Sequence, residues 1–255
     1  MTTQFNKFKQ TKHGLLIYNQ FDIYIGRGLE LYGEYSEGEI DLFRNLMKPN
    51  IVVLDIGANI GTFTLFFAKA VAPHGLVYAF EPQRLIFQTL AGNMALNSLP
   101  NVYCINKAVG KENGKINIPP INYSNFGNFG GIPIQNCESG EEVEVITIDS
   151  LNLSCCHFIK IDVEGMEFDV IKGAENTIKQ FRPIMYVEND RREKSDALIN
   201  AIKSLNYNMY VHTPPLFNPN NYYGNQENIF GNIVSINNFC IPSELNVTVQ
   251  GMQKI

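Results

Sequence analysis

Residues 51–56 form a short apolar run broken only by Asp55, the pattern of a strand buried on both faces in a parallel sheet. A glycine-punctuated turn follows over residues 57–61. From Thr62 onward, Phe63, Phe66, Phe67 and Ala70 recur at helical spacing. Strand, glycine turn and helix are the first unit of a doubly wound α/β fold. The plan then repeats. Residues 76–81 read as a second buried strand ending in Glu81, with a helix over 83–97. Residues 101–105 read as a third strand and 106–110 as a turn. Further on, 158–161 is a strand with Asp162 at its end, Gly165 in the turn and a helix opening at Glu167. Residues 181–189 place Glu188 and Asn189 at another strand end. A helix over 195–205, a strand over 207–212 and a last strand over 229–236 complete the pattern.

Two stretches stand outside this alternation. Residues 1–50 hold two short apolar runs, 15–18 and 21–25, read as strands, and then a helix ending near Met47. This arm is too short to be a domain. The expected organisation is an arm over 1–50 packed on a core over 51–255, a single domain overall. The arm's acidic and aromatic residues could close over a ligand or cover one end of the sheet. The second stretch is 111–147: a short apolar run at 116–118, a loop rich in Asn and Gly over 122–131, and an alternating, half-exposed strand over 141–148. A loop of that length is usually functional or disordered. It reads as a loop and hairpin insertion at the mouth of a site, and its lack of apolar anchors predicts mobility.

Composition narrows the classes. The chain has 255 residues, 45% hydrophobic and 18% charged, with a formal net charge of −5. That is ordinary for a globular protein and lacks the basic surplus of a nucleic-acid binder. The mixed run at 190–194 reads as a solvated helix start. Cys104, Cys137, Cys155, Cys156 and Cys240 are odd in number and lack Cys-x-x-Cys spacing, which points to reduced thiols and a cytoplasmic location. No charged-then-apolar leader opens the sequence, and no run approaches the ~18 apolar residues of a membrane span.

The first turn selects among nucleotide-like ligands. A dinucleotide fingerprint needs glycine where Asn59 and Thr62 stand, and no Gly-Lys-Ser/Thr of a P-loop follows. An acid, Asp55, precedes Gly57-x-Asn59-x-Gly61. A carboxylate there repels a pyrophosphate and suits an amino group, which S-adenosylmethionine carries beside its nucleoside. The plainer reading is a βα turn with a solvated Asp. Glu81 lies about one βαβ unit beyond Asp55, where a strand-end acid accepts hydrogen bonds from ribose hydroxyls; as a helix-start acid it would serve the macrodipole instead. Lys160, Asp162 and Glu164 alternate and so share one side of an extended backbone. Packing does not require a lysine and two acids at a central strand end, and burying them unpaired costs several kcal/mol each.

Asp55-Ile-Gly-Ala-Asn-Ile-Gly61, Phe80-Glu-Pro82 and Lys160-Ile-Asp-Val-Glu-Gly-x-Glu167 occur together in that order. The combination closely resembles the FkbM family of S-adenosylmethionine-dependent methyltransferases, over roughly residues 31–236. The resemblance implies a Rossmann-like sheet of seven strands in the order 3-2-1-4-5-7-6, strand 7 antiparallel, with 51–255 as the catalytic domain. It implies that Asp55 and Gly57 hold the methionine end of the cofactor, with Asn59 and Gly61 in the same motif. Glu81, followed by Pro82, would hold the ribose, Ala108 and its neighbours would line the adenine site, and Asp162 would lie near the methyl group. It further implies O-methylation of a hydroxyl on a sugar, a polyketide-like molecule or another small acceptor. Methyl transfer then needs an aligned acceptor and a base. Asp162 or Glu164 is expected as that base, with Lys160 fixing their charge. A divalent cation on Asp162, Glu188 and Asn189 is the alternative. The metal-free scheme is expected, because no histidine lies in the motifs and Lys160 would repel a cation. A cofactor-binding protein without transfer activity would not need the Lys160, Asp162 and Glu164 set. A nucleic-acid methyltransferase usually carries Asn/Asp-Pro-Pro-aromatic where this chain has Asp162-Val-Glu-Gly165. The acceptor's identity and the oligomeric state stay open.

Overall fold

The protein is described by a computed structural model over residues 4–132 and 139–255; Cys137 lies outside the described residues. A hairpin of β1 (Asn6–Gln10) and β2 (Leu15–Asn19) comes first, then α1 (Ile25–Tyr32) and α2 (Glu37–Leu46). The core units follow: β3 (Val52–Ile56), α3 (Thr62–Val71), β4 (Leu76–Phe80), α4 (Arg84–Leu96) and β5 (Val102–Ile105). The insertion forms β6 (Ala108–Val109), β7 (Gly114–Ile118) and β8 (Glu141–Ile146). Then come β9 (Phe158–Ile161), α5 (Glu167–Lys172), α6 (Glu175–Phe181), β10 (Ile184–Glu188), α7 (Arg192–Ser204), β11 (Tyr207–His212), β12 (Asn237–Pro242) and β13 (Gln253–Lys254).

The main sheet runs β13-β11-β12-β10-β9-β3-β4-β5. The strands from β5 through β10 are parallel, and β12 is antiparallel to both β10 and β11. The sheet therefore has eight strands, the short edge strand β13 being additional to the seven implied by the resemblance. The insertion is a separate sheet, β6-β8-β7, so residues expected as a plain turn at 106–110 contribute the strand β6.

Helices cover both faces, as the continuous apolar strands require. On one face Phe43 of α2 meets Phe67 of α3 and Tyr186 of β10, with ring centroids 5.2 and 4.8 Å apart. On the other, Val170, Ile178, Leu198 and Ile202 of α5, α6 and α7 pack on Ile159, Ile161, Met185 and Val187. Side chains alternate across a strand, so Asp55, Lys160 and Tyr186, which stand opposite one another in register, belong to the face that α2 and α3 cover.

The arm is joined to the core by side-chain amides. Asn93 of α4 and Asn97, which caps its C-terminus, each accept from and donate to the backbone of β2, at Ile17 and Leu15, with distances of 2.6–3.0 Å. The two asparagines, one helical turn apart, occupy the free edge of β2 as a partner strand would.

Two expected strands are not strands. Residues 21–25 form a turn into α1, because the Asp22 carboxylate collects the backbone N–H groups of Tyr24 and Gly26. Gly26 is required there: a Cβ would lie 2.2 Å from the Asn19 carbonyl oxygen. The strand expected over 229–236 lies instead at 237–242, as β12. Ile233, Val234 and Ile236 are exposed, whereas Asn237 and Asn238 are buried within β12. The asparagines disguised the strand, and the apolar residues before it belong to a loop. The helix expected over 195–205 begins earlier, at Arg192.

Candidate active site

A cavity of about 610 Å³ opens at the carboxyl ends of β3, β4, β9 and β10, the usual ligand crevice of an open α/β sheet. Gly57, Asn59, Glu81, Pro82 and Ala108 line one half. Lys160, Asp162, Glu164 and Glu188 line the other. The arm contributes Tyr24, Tyr35 and Glu39 as its cover, and residues 233–237 close the far side.

In the first half the strand ends are tied together by backbone bonds. Gly57 and Ala58 both donate to the Phe80 carbonyl, at 3.0 and 2.9 Å. Gly57 has φ 81°, and a Cβ would lie 1.7 Å from the Asp162 carbonyl oxygen, so only glycine lets β3 and β9 close at this point. Glu81 receives the Asn59 N–H on one oxygen at 3.0 Å and the Gln83 N–H on the other at 2.8 Å. Each oxygen keeps one lone pair free for a further donor. Burial pushes the Glu81 carboxyl up to about 7, against the pull of those two donors.

Asp55 is placed differently from the expectation. It is wholly buried and is absent from the cavity lining. Its Oδ2 accepts from Thr64 at 2.6 Å, and its Oδ1 has no partner among the described residues. Burial raises its pKa, while Lys160 across the strand pair and the Thr64 hydroxyl lower it. Gly61 is also outside the lining. It holds φ 91° at the start of α3, packed against Leu90 and Met94.

In the second half charge dominates. Lys160 is buried, its Nζ 3.0 Å from Asp162 Oδ2 and 4.8 Å from the Phe63 ring centroid. Burial alone would lower its pKa, but Asp162, Asp55 and Glu39 outweigh it and raise the pKa, so Lys160 is a fixed ammonium. Lys160, Asp162 and Glu164 share the cavity, though not by simple alternation. The chain turns after β9, and Glu164 sits in the left-handed region at φ 56°, a conformation costly for a residue with a Cβ. Buried Glu167 holds that turn by accepting from the N–H groups of Val163 and Gly165. Arg191, expected in a solvated helix start, lines the cavity and pairs with Glu164. Burial and then Asp162 push Glu164 up to about 7, against Arg191. Burial, Asp162, Glu164 and Asp190 hold the Glu188 carboxyl well above the usual range. Asn189 turns away and donates to Ser195 Oγ at 2.9 Å.

Glu39 was not singled out by the motifs. It accepts from Ser36 Oγ at 2.6 Å and faces Lys160 from α2. The acidic and aromatic character of the arm was the only signal for it. The 122–131 loop lies at the cavity mouth but is anchored: Phe129 is buried, Gln83 donates to its carbonyl, and Gly127 exchanges backbone bonds with Phe21 and Ile23. Aromatic residues within the polar run supply the anchors that its composition concealed.

A parallel sheet closed by one antiparallel strand between β10 and β11, with its crevice at the strand ends, matches the Rossmann-like fold of class I methyltransferases. The methyltransferase FkbM domain matches residues 55–209, and the chain belongs to the FkbM methyltransferase family. It is 23% identical over 184 residues to Methyltransferase 1 of Beauveria bassiana, covering 62% of this chain and 74% of that protein. It is 28% identical over 150 residues to the hexuronic acid methyltransferase AglP of Haloferax volcanii, covering 56% of this chain and 59% of that one. A solved FkbM methyltransferase from Methylobacillus flagellatus KT shares the fold at a TM-score of 0.51 and 18% identity, over 75% of this chain and 43% of that chain. Among the described residues no helix is long and apolar enough to cross a membrane.

Proposed function

We propose that the protein transfers a methyl group from S-adenosylmethionine to a hydroxyl of a small or glycosidic acceptor. The observation that carries this reading is the division of one cavity into a half with settled hydrogen bonds and a half with crowded carboxylates. The first half fits the cofactor. Glu81 has lone pairs left for two hydroxyl donors, Gly57 leaves backbone rather than side chain at the strand crossing, and Pro82 and Ala108 offer apolar surface for a base. Asp55 would act from behind this wall, through Thr64 and Lys160, rather than by touching the ligand. When bound, S-adenosylmethionine supplies an electrophilic methyl carbon on a sulfonium.

The second half fits a hydroxyl that must lose a proton. A base works best with a pKa near the working pH, and Glu164 is raised to about 7. Lys160 holds Asp162 at a fixed position and stays charged. We assign Glu164 and Asp162 as the proton-accepting pair and Lys160 as the group that positions them. Tyr24, Tyr35 and Glu39 would bound the acceptor from the arm, which makes residues 1–50 part of the same working unit as 51–255. A sugar hydroxyl is a natural acceptor class, since AglP, by name, methylates a hexuronic acid. Crowded acids disfavour a phosphodiester, and with it a nucleic-acid acceptor. Calorimetry with S-adenosylmethionine, its demethylated product, NAD and ATP tests the cofactor. Binding of the first two is expected; binding of NAD with no response to S-adenosylmethionine would overturn the reading. Label transfer from methyl-labelled cofactor into a panel of glycosides then tests the acceptor class, and transfer to nitrogen or carbon instead would overturn O-methylation.

A further inference from the structure

We infer that Asp162, Glu164 and Glu188 form a binding site for a hard divalent cation. One oxygen from each carboxylate can be chosen so that all lie within 4.8 Å of one another. A cation at about 2.1 Å from its ligands, as for Mg²⁺, sets opposite oxygens about 4.2 Å apart, and one at about 2.4 Å, as for Ca²⁺, sets them about 4.8 Å apart. Only one pair can be opposite; three oxygens spread evenly about an ion lie about 3.6–4.2 Å apart, so a spacing of up to 4.8 Å closes onto one ion with a shift of about 0.4–0.7 Å at most from each. Waters and an acceptor oxygen would complete its shell.

A second observation is independent of that clustering. Glu188 Oε2 is buried and has no hydrogen-bond partner among the described residues. Glu188 is the last residue of a central strand and lines the same cavity as Asp162 and Glu164. A buried polar atom without a partner is rare in a folded protein and calls for a missing ligand. The backbone at Glu164 points the same way, since the left-handed turn there places its carboxyl beside the other two.

The charges facing the site leave room for a cation. Asp55, Glu39, Asp162, Glu164, Glu167, Glu188 and Asp190 are the acids around it, and Lys160 and Arg191 the nearby cations. Lys160 is engaged at Asp162 Oδ2 and shared with Asp55 and Glu39, so it does not neutralise Glu188. Arg191 is engaged by Glu164 Oε2 and Asp190. Lys107, at the other end of the cavity, pairs with Glu144. The ligand set differs from the one the sequence offered: Glu164 replaces Asn189 and adds a negative charge, which weakens the argument that Lys160 would repel an ion. Use of the cation to polarise an acceptor hydroxyl, in which case Asp162 and Glu164 hold the ion rather than take the proton directly, rests on the methyl-transfer reading; binding itself does not.

The test is titration of Mn²⁺ into the full chain without cofactor or acceptor, following the free-ion signal by electron paramagnetic resonance. One bound Mn²⁺ is expected, with binding weakened at least about 10-fold in Glu188→Gln and in Asp162→Asn. Circular dichroism checks that the variants fold. Terbium luminescence on the unaltered chain is a second measurement that needs no variant, because Tyr24 and Tyr35 line the same cavity and should sensitise a bound ion. No Mn²⁺ binding into the millimolar range, no sensitised terbium signal, or equal binding in folded Glu188→Gln would overturn the proposal. A protein that binds S-adenosylmethionine but no Mn²⁺ would refute the cation site and leave the methyltransferase reading standing.

Discussion

Glu81 and Glu188 end two parallel core strands, β4 and the next-but-one strand beyond β3, β10, and both face one crevice. Their surroundings are opposite. Glu81 has a backbone N–H on each oxygen and serves as a clamp between two strand-to-helix turns. Glu188 has a buried oxygen with no partner among the described residues, and its neighbours include the acids Asp162, Glu164, Asp190 and Glu167. An acid whose bonds come from its own fold positions a ligand. An acid that the fold leaves unsatisfied needs a proton, a cation or a substrate to complete it. On the proposed reading, the half around Glu81 holds the cofactor in place and the half around Glu188 does the chemistry.

The largest expected effect comes from removing the cation beneath both halves. Lys160→Met leaves Asp55 and Glu39 buried without their compensating charge, which should cost about 3–5 kcal/mol of stability. Urea unfolding measures it, and a loss below about 1 kcal/mol would show that Lys160 holds no buried charge balance. Next is Glu164→Gln, which removes the proposed proton acceptor. Transfer should fall on the order of 10²-fold or more, while cofactor affinity is unchanged. Full activity in a labelled-methyl assay would remove Glu164 from the chemistry.

The smallest effect is on pH dependence. A carboxyl whose pKa is raised by folding contributes stability that is complete below its unfolded pKa and lost as pH rises through its folded pKa. Glu81 and Glu164, both raised to about 7 from ordinary values near 4.5, should therefore make the protein less stable as pH climbs across that window. Glu188 is raised in the same direction. Glu188→Gln keeps the shape of the protonated acid and cannot ionise. In a chelated buffer it should stabilise the chain more at about pH 8 than at about pH 5. Thermal denaturation of both chains at both pH values checks this, and an equal effect at the two would show that Glu188 titrates normally.

How much of this could be read from the sequence follows from what each signal depends on. β3 and β4 were legible because a strand buried on both faces is a nearly continuous apolar run, and because Gly57 stands where no Cβ fits. The position of Glu81 was legible as a strand end. The role of Asp55 was not, since the same strand-end pattern serves an acid facing the crevice and one enclosed behind it. Asn237 and Asn238 concealed β12, because burial of a polar side chain is decided by neighbours remote in sequence. Arg191 and Glu39 reached the site through tertiary packing: one from a charged run that resembles any helix start, the other from an arm with no motif. Local pattern revealed the scaffold and the strand-end acids, while the way in which each acid is satisfied came only from the fold.

The comparison between the two halves is tested most directly by calorimetric titration of S-adenosylmethionine into the unaltered chain, Glu81→Gln and Glu188→Gln. The account predicts that Glu81→Gln weakens binding by about 1.5–3 kcal/mol, the worth of hydrogen bonds to a charged group, and that Glu188→Gln leaves it within error of the unaltered chain. Equal losses in the two variants, or a loss confined to Glu188→Gln, would contradict the assignment of the Glu81 half to the cofactor.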